Sequence, residues 1–377
     1  MNFNGFDPVA LVNKKYVSGS ALGVSPLFKF LNVAETPGTR IDFNCPISWR
    51  SELPRQILLI GCGGTGSHLL PNILQYCWSE AKGNPNAMPE IILCDADVVE
   101  EKNLVRQKFT RADVGLSKAE ALARRYSSAF GVRIRTYNEF IKDPSDIANI
   151  FTSDLAEPKY RNNYVNRFVI GAVDNHRARM LMWLWLNGEP YYRESCGHRF
   201  WIDSGNETWH GQAILGMVAG AVNSVEGISS WEQAKIGSKI RPVDLPSFFE
   251  HFPDDFSKAE KAPLVPQNEC AIMVEENPQT IQANMMSAFC ATGLFVQAYS
   301  GEIRCNVISF DALTCNTRPL MVTRKNIMDW SILMAESRKK IKDFLVSSEM
   351  LGGASLESHR EWSFLSNLEI RQDVLLS

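Results

Sequence analysis

The chain contains nine cysteines but no C-x-x-C pair, which argues against the common four-cysteine zinc site. It also lacks a long hydrophobic run, since the longest one, residues 181–186, is far too short to span a bilayer. The N-terminal residues do not have the pattern of a signal peptide. Scattered cysteines without such a signal are typical of a reducing compartment. We therefore expect a cytoplasmic protein that binds neither zinc nor a membrane.

A strong charge of either sign is missing as well. The net charge of −3, with acidic and basic residues mixed along the chain, gives no electrostatic footprint for nucleic acid. There is no internal repeat, and 377 residues with 45% hydrophobic content are enough for one large domain with additions. We predict an N-terminal extension over residues 1–55, a main domain over 56–324 with a long crossover loop at 217–268, and a C-terminal helix and tail over 325–377.

A glycine-rich turn is the first positive signal. Residues 56–60 are apolar except for Gln56, as in a parallel strand buried on both faces, and the residues after the turn repeat at helical spacing. Gly61, Gly63 and Gly66 fit the G-x-G-x-x-G pattern that brings phosphate to the start of a helix. A P-loop NTPase is excluded, because Ser67 and His68 stand where that motif needs Lys followed by Ser or Thr.

A second apolar run, residues 91–94, ends at Asp95. A carboxylate at the carboxyl end of this strand would bind ribose hydroxyls. A dinucleotide oxidoreductase would explain the glycines and Asp95. It would not explain the polar residues that follow.

Those residues are Asn103, Arg106, Gln107 and Lys118. Ser117 and the glutamate three residues later form a capping-box pattern, which predicts that Lys118 lies on the first turn of a helix. Arginine and lysine are the cations that neutralise pyrophosphate as it leaves a nucleotide. We interpret Arg106 and Lys118 as phosphate-binding groups, with solvated surface positions as the alternative.

A further strand, residues 167–173, runs into Asp174 and Asn175. The carboxyl ends of parallel strands share one crevice, so Asp174 is a natural ligand for Mg²⁺ beside the phosphates. Either residue could instead cap the helix predicted at 177–187. Both interpretations stay open. Residues 133–137 and 302–323 predict additional strands, and residues 326–346 predict an amphipathic helix.

Taken in order, the motifs G-x-G-G-x-G-S, D-x-D-x-V-x-x-x-N-L-x-R-Q, D-x-G-x-x-K and D-N-x-x-x-R resemble the ThiF/MoeB superfamily of adenylating enzymes. The resemblance runs from residue 56 to about 216, resumes near Cys270, and is closest in character to bacterial proteins of the PRTRC-system type. It implies an α/β fold with a Rossmann-like mixed sheet, in which a parallel nucleotide-binding half is completed by antiparallel strands. Arg179 matches the arginine that closes the last motif.

The resemblance implies the site as well. The expected ATP-binding residues are Gly61, Gly63, Gly64, Gly66, Ser67, Asp95, Asp97, Asn103, Arg106, Gln107, Lys118, Asp174 and Asn175. Among them, Arg106, Lys118 and Asp174 are expected to act in catalysis, and Asp174 to hold Mg²⁺. Members of the family often carry paired cysteines for zinc, which this chain lacks, and many supply an arginine from a partner subunit. Arg40, Arg50 and Arg55 are available for that role, and none can be assigned.

The function implied is ATP-dependent adenylation of the C-terminal carboxylate of a ubiquitin-like protein, by a homodimer that serves a conjugating partner. Three alternatives stay open. The substrate could be another carboxylate, on a peptide or a modified nucleoside. The chain could be a non-catalytic binding subunit of the same fold, or it could be a dinucleotide oxidoreductase.

Cys270 occupies a position where related enzymes carry the cysteine that accepts the acyl group as a thioester. We expect either that catalytic role or an ordinary loop cysteine, and the sequence weighs the two equally. Cys196 is a weaker second candidate. The remaining cysteines that fall on apolar faces are interpreted as core thiols: Cys62, Cys77, Cys94, Cys290 and Cys305.

Overall fold

The computed structural model describes residues 47–48, 53–153, 155–160, 165–188, 197–219, 244–261 and 279–347. Cys196, Cys270, Arg40 and Arg50 lie outside these residues, so their predicted roles stay predictions. The same holds for most of the predicted N-terminal extension, for much of the crossover and for the C-terminal tail.

Ten strands are present in the described part of the chain. In order they are β1 (Ile47–Ser48), β2 (Arg55–Ile60), β3 (Glu90–Cys94), β4 (Ile134–Tyr137), β5 (Asn166–Gly171), β6 (Arg199–Asn206), β7 (His210–Val218), β8 (Glu302–Ile303), β9 (Cys305–Asp311) and β10 (Asn316–Met321). β1 and β8 form a separate antiparallel pair. The other eight form one sheet in the order β10-β9-β7-β6-β5-β2-β3-β4.

This sheet has two halves of different direction. β4, β3, β2, β5 and β6 are parallel, and β7, β9 and β10 continue the sheet with antiparallel pairing. The central strands β2 and β5 are almost wholly buried, which is why the sequence reads there as continuous apolar runs. The predicted fold class, a mixed α/β sheet with a parallel half completed by antiparallel strands, is confirmed.

Eight α-helices accompany the described strands. They are α1 (Gly64–Glu80), α2 (Lys118–Phe130), α3 (Pro144–Thr152), α4 (His176–Asn187), α5 (Phe248–His251), α6 (Asp255–Lys261), α7 (Ile281–Ser300) and α8 (Arg324–Ser347). α7 packs against α1 and against β6, β7 and β9, so it crosses the junction between the two halves of the sheet. Phe168 and Phe200 stack beneath it with their ring centroids 4.5 Å apart.

The two helices predicted at 177–187 and 326–346 are observed within two residues of those bounds, as α4 and α8. One detail of α2 differs from the predicted capping box. The Ser117 hydroxyl accepts the amide of Glu120 as expected, but the Glu120 carboxylate binds the Asn138 side chain at 2.6 Å. The helix ends at Gly131, whose φ of 63° places it in the left-handed conformation typical of a helix C-terminus.

α5 and α6 lie within the segment predicted as a crossover, and the sequence analysis did not predict them. Phe248, Phe249, Phe252 and Phe256 are buried there, and Trp183 of α4 packs edge-on against Phe256 at 5.5 Å. Aromatic burial therefore holds this part of the crossover against α4.

Among the described helices, none combines the length and the apolar character that crossing a membrane requires. Within the same residues there is also no cluster of three or more His, Cys, Asp or Glu side chains able to hold a metal ion.

Candidate functional site

The glycine loop between β2 and α1 is shaped by close backbone approaches. Gly61 has φ +93°, and a Cβ there would lie 2.4 Å from the carbonyl oxygen of Ala172. A Cβ on Gly66 would lie 1.9 Å from the carbonyl oxygen of Gly61. Both positions therefore require glycine for steric reasons, in agreement with the tight turn and close packing that the motif predicts.

The start of α1 is open to an anion. Gly63 is the N-cap residue and offers no side-chain hydrogen bond, and the first turn carries no acidic residue. The amides of Gly64, Thr65 and Gly66 have no acceptor within the helix, because the first turn of any helix lacks one. Three N–H groups that have no acceptor within the helix therefore meet the positive end of the helix dipole at this point.

Asp95 fastens the glycine loop to the end of β3. Its Oδ2 accepts the amide of Cys62 at 2.6 Å and its Oδ1 accepts the amide of Asp97 at 2.8 Å. Burial raises the pKa of Asp95, and the nearby positive charge of Lys118 opposes that shift. Each carboxylate oxygen keeps acceptor capacity beyond these amides, so the residue can also bind hydroxyl groups.

Lys118 and Asp97 form an ion pair across the same edge of the sheet. Lys118 Nζ lies 2.7 Å from Asp97 Oδ2, and the Lys118 amide donates to the Asp97 carbonyl at 2.9 Å. The lysine side chain is 9% exposed and the aspartate side chain 56% exposed, so Lys118 is held below a carboxylate that faces solvent. The sequence analysis predicted Lys118 as a phosphate ligand and did not predict this pairing.

A short 3-10 turn, Glu101–Val105, carries the predicted amide and arginine. Asn103 is buried and its Oδ1 accepts the Glu100 amide at 2.8 Å, which fixes the turn. Arg106 ends the turn and is half-buried. Ser67 joins this segment to α1, because its hydroxyl accepts the Lys108 amide at 3.1 Å.

Gln107 completes the segment beside the glycine loop. Its Nε2 is the nearest atom to a Cβ placed on Gly63, at 3.8 Å, and its Oε1 is buried without a hydrogen-bond partner in the described part of the chain. An unpaired buried amide oxygen next to the loop is a ready acceptor for a donor that the site lacks.

The end of β5 shows which of Asp174 and Asn175 caps the next helix. Asn175 is the N-cap of α4 and its Oδ1 accepts the Ala178 amide at 2.7 Å. Asp174 is exposed and takes no part in the cap. Mg²⁺ in proteins is held by one or two carboxylates together with phosphate oxygens and water. A single exposed carboxylate at this edge fits such an ion.

A buried ion pair beside Asp174 was missed by the assignment of site residues. Arg179 Nε donates to Asp203 Oδ1 at 2.8 Å, and Arg179 Nη2 donates to the Val173 carbonyl at 2.8 Å. Burial raises the pKa of Asp203, and the Arg179 charge lowers it. Arg179 therefore fixes the chain immediately before Asp174. The sequence motif marked Arg179, but nothing in it indicated Asp203 as the partner.

A second set of residues missed by the sequence analysis joins three elements at the start of α1. Thr65 Oγ1 lies 3.0 Å from Asn206 Oδ1, and Asn206 Nδ2 donates to Asn284 Oδ1 at 3.1 Å. Gln279 Nε2 donates to the Asn206 carbonyl at 3.1 Å. We call Thr65, Asn206 and Asn284 the polar triad.

The cysteines predicted as core thiols are buried, as expected: Cys62, Cys77, Cys94, Cys290 and Cys305. Burial raises the pKa of each, to about 12 for Cys290. Thiols of this kind are poor nucleophiles at neutral pH.

The glycine loop, Asp95, the Lys118–Asp97 pair and Asp174 all lie at the carboxyl ends of parallel strands. This arrangement is that of an open α/β domain, a class of fold in which ligands bind outside the carboxyl edge of the parallel strands. Residues 53–217 match the sequence model of the ThiF family.

Individual relatives match over shorter stretches. The chain is 33% identical to ubiquitin-like modifier-activating enzyme 5 of Drosophila virilis over 127 residues, which are 33% of this chain and 29% of the relative. The same enzyme of Drosophila persimilis is 32% identical over 127 residues. The chain thus spans about three tenths of the length of these relatives.

Solved structures resemble the fold more distantly. Escherichia coli MccB with ATP aligns with 72% of this chain and 64% of its own at 14% identity, with a TM-score of 0.43. PaaA aligns with 71% of this chain and 65% of its own at 14% identity, with a TM-score of 0.39.

Proposed function

We propose that the protein binds ATP at the carboxyl edge of its parallel strands and uses it to adenylate a carboxylate. The amides at the start of α1 bind phosphate, Asp95 binds the ribose, and Arg106 and Lys118 neutralise the outer phosphates. Asp174 holds Mg²⁺, which when bound offsets charge on the phosphates. The convergence of an open helix start, a carboxylate and a buried lysine at one sheet edge supports this function most strongly.

The chemistry needs no general base. A substrate carboxylate is already ionised at neutral pH, so it attacks the α-phosphorus directly and pyrophosphate departs. The products are a mixed anhydride with AMP and free pyrophosphate. Positioning of the two reactants and stabilisation of the leaving group therefore carry the catalysis. When phosphate enters, Lys118 exchanges part of its interaction with Asp97 for an interaction with the nucleotide.

The substrate proposed is the C-terminal glycine of a ubiquitin-like protein. The matched relatives named as ubiquitin-like modifier-activating enzymes support this choice. A peptide or modified-nucleoside carboxylate is the alternative. We also propose that the protein acts as a homodimer with a conjugating partner, and that Cys270 accepts the acyl group as a thioester.

ATP–pyrophosphate exchange tests the function. We expect exchange that depends on a ubiquitin-like protein with an intact terminal glycine and that falls at least about 100-fold in Lys118→Ala, because a charged contact to the leaving group is lost. Lys102→Ala is the matched control, since Lys102 is exposed on the neighbouring turn and pairs with Glu100 at the surface. Equal activity in Lys118→Ala and Lys102→Ala would contradict the role of Lys118.

The same assay separates the remaining alternatives. Exchange supported only by short peptides would identify a peptide substrate, and ATP binding without any exchange would identify a non-catalytic subunit. Binding of NAD in place of ATP would identify a dinucleotide oxidoreductase. Cys270→Ala is expected to leave exchange intact and to remove only the thioester, so loss of both would indicate a structural role for Cys270.

A further inference from the structure

Asn284 of α7 lies directly against the first residue of α1. A Cβ on Gly64 would be 2.5 Å from Asn284 Nδ2 and 2.8 Å from its Cγ, so the carboxamide occupies the space that a larger residue would fill. The Asn284 side chain is completely buried, with 0% exposure. Gly64 and Asn284 are far apart in the sequence. They meet because α7 packs against α1 and β6.

The oxygen and the nitrogen of this carboxamide differ in their hydrogen bonding. Oδ1 accepts from Asn206 Nδ2 at 3.1 Å and lies 3.5 Å from Thr65 Oγ1. Nδ2 is buried and has no hydrogen-bond partner among the described residues. A buried amide donor without an acceptor is destabilising, and such groups are rare in folded proteins unless a ligand or water satisfies them.

The position of this unpaired donor indicates what would satisfy it. It lies at the first residue of α1, where the amides of Gly64, Thr65 and Gly66 have no acceptor within the helix and where the helix dipole favours negative charge. A cationic group at this point could not accept from these donors, and a neutral acceptor would gain less than an anion from the helix dipole. A phosphate oxygen can accept from several N–H groups at once.

We infer that Asn284 is a nucleotide-binding residue whose Nδ2 donates to a phosphate oxygen at the start of α1. Asn206 is a positioning residue, because its Nδ2 donates to Asn284 Oδ1 and so directs Asn284 Nδ2 toward Gly64. Thr65 supports this arrangement by donating to Asn206 Oδ1. This inference rests on the proposed function for the presence of ATP, and it assigns a donor to a helix that lies far along the chain from the glycine loop.

The test is ATP affinity, measured by calorimetry on the full chain with Mg²⁺, for wild type and Asn284→Asp. The substitution keeps the volume and the acceptor that faces Asn206, but it replaces the donor with a negative charge. We expect ATP to bind at least about 10-fold more weakly, since a hydrogen bond to a charged acceptor is replaced by repulsion. Adenosine, which has no phosphate, should bind both proteins within about 2-fold.

Gln282→Glu is the matched control, because it adds the same charge two residues earlier on an exposed position of α7. Its ATP affinity should stay within about 2-fold of wild type. If Asn284→Asp does not fold, the same measurements are made on Asn206→Ala. We expect this variant to bind ATP more weakly than wild type and to bind adenosine equally well.

Two results would overturn the role of Asn284 without affecting the proposed function. One is wild-type ATP affinity in Asn284→Asp, or in Asn206→Ala where the first variant does not fold. The other is an equal loss of ATP and adenosine affinity, which would indicate a general distortion of the site. Failure of the wild-type protein to bind ATP would instead overturn the proposed function.

Discussion

At the scale of single residues, the glycines of the loop are required for different reasons. Gly61 and Gly66 approach backbone oxygens, whereas Gly64 approaches the side chain of Asn284. Substitution at Gly66 therefore cannot be relieved by a side-chain movement, but substitution at Gly64 can be relieved by changing its neighbour.

We predict that Gly64→Ala destabilises the protein by about 1–3 kcal/mol, because the new Cβ overpacks a buried contact. Adding Asn284→Ala should recover part of that loss, so the two changes are not additive. Chemical denaturation of the two single variants and the double variant measures the coupling. Gly63→Ala is the control, since its Cβ would meet nothing closer than Gln107 Nε2 at 3.8 Å. Equal destabilisation by Gly63→Ala and Gly64→Ala would contradict the steric explanation.

The site could be predicted from sequence only where its residues are close in the chain. Asp95 and the glycines follow strand ends and carry recognisable spacing, so the sequence indicates them as candidates. The polar triad was not predicted, because Thr65 and Asn284 are 219 residues apart and a single asparagine on a helix has no recognisable sequence pattern. Asp203 was missed for the same reason, as only the folded sheet sets it beside Arg179.

At the scale of elements, the long helix α8 is fastened to the short helix α5 by a buried charge. Arg338 Nε lies 3.1 Å from Glu250 Oε1, with side-chain exposures of 10% and 1%. Arg338 Nη2 also donates to Asn187 of α4 at 2.9 Å. One arginine therefore connects three helices.

We predict that Arg338→Ala destabilises the protein by about 3 kcal/mol or more, because it leaves the Glu250 carboxylate buried without its cation. Lys340→Ala is the control from the same helix. Its ion pair with Asp254 also joins α8 to the α5–α6 region but is exposed at 58% and 81%, so its loss should cost less than about 1 kcal/mol. Urea denaturation gives both values. Similar losses for the two variants would show that the Arg338 contact is not buried in solution.

The elements that sequence predicted best are those with clear periodicity. The predicted helix at 326–346 is observed as Arg324–Ser347, and the strand predicted at 91–94 as Glu90–Cys94. α5 and α6 were missed because they are short and are held by aromatic contacts to α4, and those contacts leave no repeat in the sequence.

At the scale of the whole molecule, buried histidines make the folded state sensitive to acid. Burial lowers the pKa of His198 to about 4, and it also lowers the pKa of His68, His176 and His251. Below pH 6.5 these histidines bind more protons in the unfolded chain than in the folded chain, so their contribution to stability falls as pH falls. Asp95 and Asp203 act in the opposite direction, since burial raises their pKa values.

We predict that His198 alone contributes a loss of about 3 kcal/mol in unfolding free energy between pH 6.5 and pH 4. The loss begins near the unfolded pKa and is complete below the folded one. His198→Gln removes the titrating group, so its unfolding free energy should fall less than that of wild type by this amount. Denaturation curves at pH 7, 5.5 and 4 provide the comparison. Parallel pH profiles for the two proteins would show that His198 is protonated in the folded state.

The contact between Gly64 and Asn284 has a consequence for sequence evolution. A residue larger than glycine at position 64 can be accommodated only if position 284 becomes smaller, and a larger residue at 284 meets the same barrier. Two stretches of the gene that encode separate elements are thus constrained to change together, and related sequences should show the two positions varying as a pair.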